Sequence, residues 1–208
     1  MKTSLLAAAC AAALTGCAGI QTAVRASAAP EFGSGARTYV FASDAAALAG
    51  PAGEEDARYA AAIERRLAEL GFAADTEQHA RYRVALSHET RPASVGIGRT
   101  ACADGMPCGA PVLPPGFEWP GQTDYVHSLT LRFFDRTDGR EAYKVSVTRR
   151  DRDRDARRDI DALVASALAQ LPFAQAGARQ GQTDWKVTLR QAEGDAAPRV
   201  TGVAPLDR

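Results

Sequence analysis

The stretch "DYVHSLTLRFFDRTDGREAYKVSVT", residues 124–148, decides the fold class. Tyr125, Leu129, Leu131 and Phe133 share one parity, and Tyr143, Val145 and Val147 share another, so each half reads as a strand with one buried face. Between them Asp138-Gly139 is a hairpin signal, because glycine accepts the positive φ that such turns need. The spacing predicts an antiparallel pair. A chain built around such a hairpin needs helices or further strands to cover its apolar face.

The next residues, "RRDRDRDARRD" (149–159), hold six Arg and four Asp. Bases alternating with acids predict a solvated helix start with Asp153–Arg157 and Asp155–Arg158 pairs, not a nucleic-acid patch. Ile160, Leu163, Val164, Ala167, Leu168 and Leu171 then recur at helical spacing until Pro172. "TDWKVTLRQ" (183–191) alternates again around Trp185, Val187 and Leu189 and is expected as a last strand; residues 192–208 are expected as a tail.

Upstream of the hairpin, "ARYRVALSHE" (80–89) alternates Tyr82, Val84 and Leu86 against Arg81, Arg83 and Ser87. "PAGEEDARYAAAIERRLAELGF" (51–72) reads as a helix. Ala60, Ile63, Leu67 and Leu70 make its core stripe, acids fill its first turn, and Gly71 is placed to cap it. "RTYVFASD" (37–44) is a strand. The expected fold is α+β, a two-layer sandwich of a mainly antiparallel sheet of about four to five strands with two helices packed on it. Its order is β-α-β-long loop-β-β-α-(β), and residues 37–191 form a single domain.

The N-terminus carries Lys2, a short apolar run from Leu5 to Leu14, and then Leu14-Thr15-Gly16-Cys17. The run is too short to span a bilayer, which takes roughly 20 residues, and has the layout of a secretory signal, residues 1–16. The "LTGC" tetrad resembles the lipobox of bacterial lipoproteins. That resemblance implies cleavage before Cys17 and acyl chains on its thiol and new amine, enough together for stable anchoring. Ala18 in place of Asp points, in the same pattern, to the outer membrane. Residues 17–36, small and polar, are expected as a lipidated flexible tether, and the domain is expected to face the periplasm.

Without residues 1–16 the chain loses one base, Lys2, from its 25 basic and 25 acidic side chains, for a net charge near −1. That balance offers no electrostatic footprint for nucleic acid. The expected partners are the bilayer, through acylated Cys17, and another envelope component.

Residues 89–124 form a loop in which 12 of the 30 residues from Pro92 to Gly121 are Gly or Pro. Loops of this length are usually functional or disordered. Phe117 and Trp119, set between prolines, are candidate partner contacts, with folding back onto the core as the alternative. Cys102 and Cys108 remain once Cys10 leaves with the signal and Cys17 takes lipid. In an oxidising compartment they are expected as a disulfide, with a redox pair as the other reading. His79, His88 and His127 show no zinc spacing, no Gly-x-Ser-x-Gly elbow occurs, and Gly96 and Gly98 make no phosphate fingerprint. No catalytic residue, metal ligand or cofactor is expected, although His88 and His127 could converge with acids in a hydrolase-like site.

Taken together, "LTGC", "RTYVF", "IERRLAELGF", "YRVALS", "SVGIG", "LRFFDRTDGREAYKVSV" and "IDALVASALAQLPF" resemble the bacterial envelope lipoproteins of domain of unknown function 4136, over roughly residues 37–173. The resemblance implies a periplasm-facing α+β domain with no assigned reaction and no family site residues. The role expected of the protein is binding, assembly or envelope integrity.

Overall fold

The computed structural model describes residues 19–42, 51–93, 123–173, 183–191 and 197–206. Its strands are β1 (Ile20–Ala28), β2 (Thr38–Phe41), β3 (Ala73–Ala74), β4 (Tyr82–Pro92), β5 (Tyr125–Asp135), β6 (Glu141–Asp151), β7 (Thr183–Arg190) and β8 (Arg199–Pro205). The helices are α1 (Pro51–Glu69) and α2 (Ile160–Ala167), the latter preceded by a 3-10 turn at Ala156–Arg158. All eight strands form one mixed sheet in the order β3-β2-β4-β5-β6-β1-β7-β8. β2 runs parallel to both β3 and β4, and the other pairs are antiparallel.

The fold class is α+β, with two helices among the described residues as expected, but the sheet is larger and partly parallel. The chief correction is the segment expected as a tether. Ile20–Ala28 is an interior strand, hydrogen-bonded to β6 on one side and β7 on the other. It buries Thr22, Val24 and Ala26 and exposes Gln21, Ala23 and Arg25. Just beyond it, Phe32 is 6% exposed and stacks on Tyr143 at 4.6 Å between ring centroids. The same ring meets Tyr82 at 5.2 Å and Phe133 at 5.3 Å. A second correction concerns the tail, where Arg199–Pro205 pairs with β7 as an edge strand. The folded unit therefore reaches beyond residues 37–191 at both ends.

The hairpin forms as its sequence predicts. Gly139 takes φ +72°, its N–H bonds the Asp135 carbonyl at 2.8 Å, and Asp135 returns an N–H to Arg140 O at 2.9 Å. The Asp135 carboxylate also accepts from the Thr137 N–H and hydroxyl, which locks the turn. Helix α1 ends as expected at Gly71, φ +79°: Phe72 N–H bonds Leu67 O at 2.9 Å and Gly71 N–H bonds Ala68 O at 3.0 Å. These two bonds satisfy carbonyls that the helix end would otherwise orphan, and they tuck Phe72 into the core.

Both helices cover one face of the sheet. Ile63 and Leu67 of α1, Leu163 and Ala167 of α2, and Leu129, Leu131, Phe133, Val145, Val147, Val187 and Leu189 of the strands make one core. The opposite face is polar, with Thr130 bonded to Ser146 at 2.9 Å and Arg25 paired with Asp184 at 2.6 Å.

The charged run after the hairpin does not start a helix. Residues 149–151 continue β6, and residues 151–157 form a ladder of short turns. Asp151 Oδ1 accepts the Asp153 N–H at 2.9 Å, Asp153 Oδ1 accepts the Asp155 N–H at 2.9 Å, and Asp155 Oδ1 accepts the Arg157 N–H at 3.1 Å. A carboxylate that captures the N–H two residues ahead competes with helical bonding, which is why the helix waits until Ile160. The expected Asp153–Arg157 and Asp155–Arg158 pairs give way to Arg157–Asp155 at 2.6 Å and Arg158–Asp153 at 3.4 Å. Helix α2 ends at Ala167, before Pro172.

Candidate functional site

Polar residues gather at the end of the sheet where β4 and β6 finish and β1 and β5 begin. Arg149 has the parity of Tyr143, Val145 and Val147 and so turns toward the helices, where its side chain is 16% exposed. There it pairs with Asp159, whose side chain is 6% exposed, and with Asp151 at 2.6 Å. Asp159 precedes α2 but makes no side-chain capping bond, because its carboxylate is committed to Arg149. Burial pushes the Asp159 carboxyl above the usual Asp value, while Arg149 and His127 pull it down. Asp151 is held below that value, chiefly by the N–H of Asp153.

His127 is fully buried beside this pair. Its Nε2 lies 2.8 Å from the Asp153 carbonyl and its Nδ1 lies 2.9 Å from Thr90 Oγ1. A carbonyl only accepts, so Nε2 carries the proton and donates it. Asp159 Oδ2 is 3.7 Å away. Both ring nitrogens are thus occupied, which fits a buried histidine fastening the Asp153 turn to β4 and β5.

His88, on the same face of β4, meets the first turns of α1. Nε2 is 2.8 Å from Asp56 Oδ1, Nδ1 is 3.5 Å from Glu55 Oε1, and the ring stacks on Tyr59 at 4.5 Å. Burial, with Glu55 and Asp159 adding to it, drives the Tyr59 hydroxyl well above its ordinary value. A mixed-charge cavity of about 540 Å³ is lined by Ile20, Arg149, Asp151, Asp153, Asp155 and Asp159 among others, and neither histidine lines it.

Among the described residues no group of three or more His, Cys, Asp or Glu has metal-holding geometry. No described helix is long and apolar enough to cross a membrane. Cys17, Cys102, Cys108, Phe117 and Trp119 lie outside the described residues, so their expected lipidation, disulfide and partner roles rest on the sequence. The β4 and β5 ends that lead to the 94–122 segment are held together at this same end, by Ala93 N–H to Asp124 O at 2.7 Å. The buried Arg149–Asp159 pair was missed in the sequence. Its signal was there, an arginine at an inward-facing strand position followed by acids at two-residue spacing.

A model of a family described as a domain of unknown function, DUF4136, matches residues 23–173. The chain belongs to the DUF4136 family. The DUF4136 match starts within β1, in agreement with a domain that includes this strand. Among solved structures, a PDZ domain protein from Parabacteroides distasonis is similar at 15% identity and TM-score 0.47 over 89% of this chain, which spans 43% of that protein's length. PelC from Paraburkholderia phytofirmans, solved as a dodecamer in two space groups, is similar at 16% identity and TM-score 0.42, over 74% of this chain and 99% of PelC. The comparison with curated proteins found no match.

Proposed function

We propose that this DUF4136 protein is a lipid-anchored component of the bacterial outer membrane, with its domain in the periplasm, working by binding or assembly and not by catalysis. The observation that carries the reading is Leu14-Thr15-Gly16-Cys17 directly after a short apolar signal. The buried ionic cluster supports the non-catalytic part: His127 is walled in with both nitrogens bonded, so it joins strands and does not offer a reactive atom. The expected 89–124 loop is shorter at its start, where residues 89–92 belong to β4; in this reading a Cys102–Cys108 disulfide clamps the 94–122 segment, and Phe117 and Trp119 present it to another envelope component.

A hydrolase-like reading has one observation in its favour, the partly exposed His88–Asp56 pair, which has the form of a base with its orienting carboxylate. No hydroxyl or thiol nucleophile meets His88 among the described residues.

Metabolic labelling with a fatty-acid analogue tests the anchor. Label on the wild-type protein, lost in Cys17→Ser, together with an outer-membrane density, is the expected result. Label persisting in Cys17→Ser contradicts it. Non-reducing mass spectrometry of periplasm-derived protein is expected to show the Cys102–Cys108 link, and two free thiols would overturn the clamp.

A further inference from the structure

The first residue of β1, Ile20, is only three positions after Cys17. A fully extended chain spans at most about 3.3–3.6 Å per residue, so an acylated Cys17 holds Ile20 within about 10 Å of its own α-carbon. Since β1 is interior to the sheet, the short leash fixes the whole sheet end and not a loose terminus.

That end is rich in arginine. Arg91, Val126 and Arg150 stand in one cross-strand row on β4, β5 and β6. On the open face of the sheet a depression of about 510 Å³ is lined by Arg91, Arg150, Lys186, Gln21 and Thr148, with Val126, and no acidic side chain lines it. Beyond β6, the turn ladder engages the carboxylates of Asp151, Asp153 and Asp155 as acceptors of backbone N–H groups and leaves Arg152 and Arg154 exposed. None of the guanidinium groups of Arg91, Arg150, Arg152 and Arg154 forms an ion pair with an acidic side chain among the described residues. At the same end Arg190 and Arg199 are direct partners across β7 and β8, a like-charge pairing that an external anion would relieve.

We propose that this arginine-rich end is a docking surface for phospholipid phosphates of the bilayer that holds Cys17, with the depression bounded by Arg91, Arg150 and Lys186 as the seat of a headgroup. Guanidinium groups suit phosphate because their planar donor forks match its oxygens. The docked domain stands with its strands leading away from the membrane, and the hairpin turn at Asp138-Gly139 points into the periplasm. The inference rests on the lipoprotein reading and adds an orientation to it.

The test uses full-length lipidated protein, extracted from its membrane and placed either in vesicles of phosphatidylethanolamine and phosphatidylglycerol or in uncharged detergent micelles. Phenylglyoxal labelling of arginine is followed by peptide mass spectrometry, and the intact mass reports the acyl chains. In vesicles Arg91, Arg150, Arg152 and Arg154 are expected to label more slowly by roughly the fivefold that one basic side chain gains near an anionic surface. Arg140, at the hairpin turn and 86% exposed, is expected to label equally in both. Equal labelling of the four arginines in the two settings, with the acyl mass present, overturns the docking surface alone. A protein without acyl mass overturns the anchor, and the docking surface with it. Slowing that includes Arg140 reflects general occlusion and also contradicts the proposal.

Discussion

Strands β1 and β6 lie side by side, and both bury every second residue, yet only β6 looks like a strand in the sequence. β6 buries Tyr143, Val145 and Val147 behind a hairpin turn that names its partner. β1 buries Thr22, Val24 and Ala26, and on its other face exposes Ala23. With polar Thr22 and small Ala26 inside and Ala23 outside, the contrast between faces rests on Val24 against Gln21 and Arg25, so the parity was present but faint. Strand identity in β1 comes from its two neighbours and from α2, which packs across β5, β6, β1 and β7. A centre position in a sheet needs paired backbone on both sides more than it needs large side chains.

The sharpest way to break this comparison is deletion. Removing residues 20–28 should abolish cooperative unfolding, because β6 and β7 would lose their shared partner; circular dichroism and proteolysis check this. A tether of the same length would be removable without effect on the fold. Next in size, Asp159→Ala takes one of the two carboxylates from Arg149, leaves Asp151 as its remaining partner, and should cost about 2–3 kcal/mol, read by denaturant unfolding. A matched pair of truncations follows: Val24→Ala in β1 and Val145→Ala in β6, both almost fully buried, should each cost about 2 kcal/mol. A tether would place the first of these within about 0.5 kcal/mol of wild type.

The smallest effect is the acid response of the turn ladder. Asp155, bonded chiefly by the Arg157 side chain, has its pKa lowered to about 2, and Asp151 is lowered as well. A carboxyl whose folded value lies below its unfolded value adds stability that is complete above the ordinary Asp value and lost as pH falls toward the folded one. Asp159 acts with the opposite sign, since burial raises it and its ionisation disfavours the fold as pH rises past the ordinary value. Stability is therefore expected to drop between about pH 4 and pH 2, and Asp155→Asn should flatten part of that drop in an acid titration followed by fluorescence.

Legibility followed the size and spacing of side chains. The hairpin, α1 with its Gly71 cap, and the Tyr82–Leu86 and Trp185–Leu189 strands were readable because large apolar groups met turn or cap signals. Residues 149–159 mislead because alternating charges also fit helical pairing. Their period of two instead matches carboxylates that capture the N–H two residues on. Strands β1 and β8 are hard to read because β1 takes its order from β6 and β7, far along the sequence, and β8 is an edge strand with few large apolar residues. Of the candidate site, His127 was legible as an inward-facing residue, whereas its partner Thr90 depends on the register of β4 with β5 and its partner Asp153 on the turn that follows β6.

Hydrogen exchange at the amides of residues 21–28 tests the central claim most directly. An interior strand predicts protection comparable to that of β5 and β6, lost only with global unfolding. Exchange of these amides at the rate of an unstructured chain, while β5 and β6 stay protected, would contradict it.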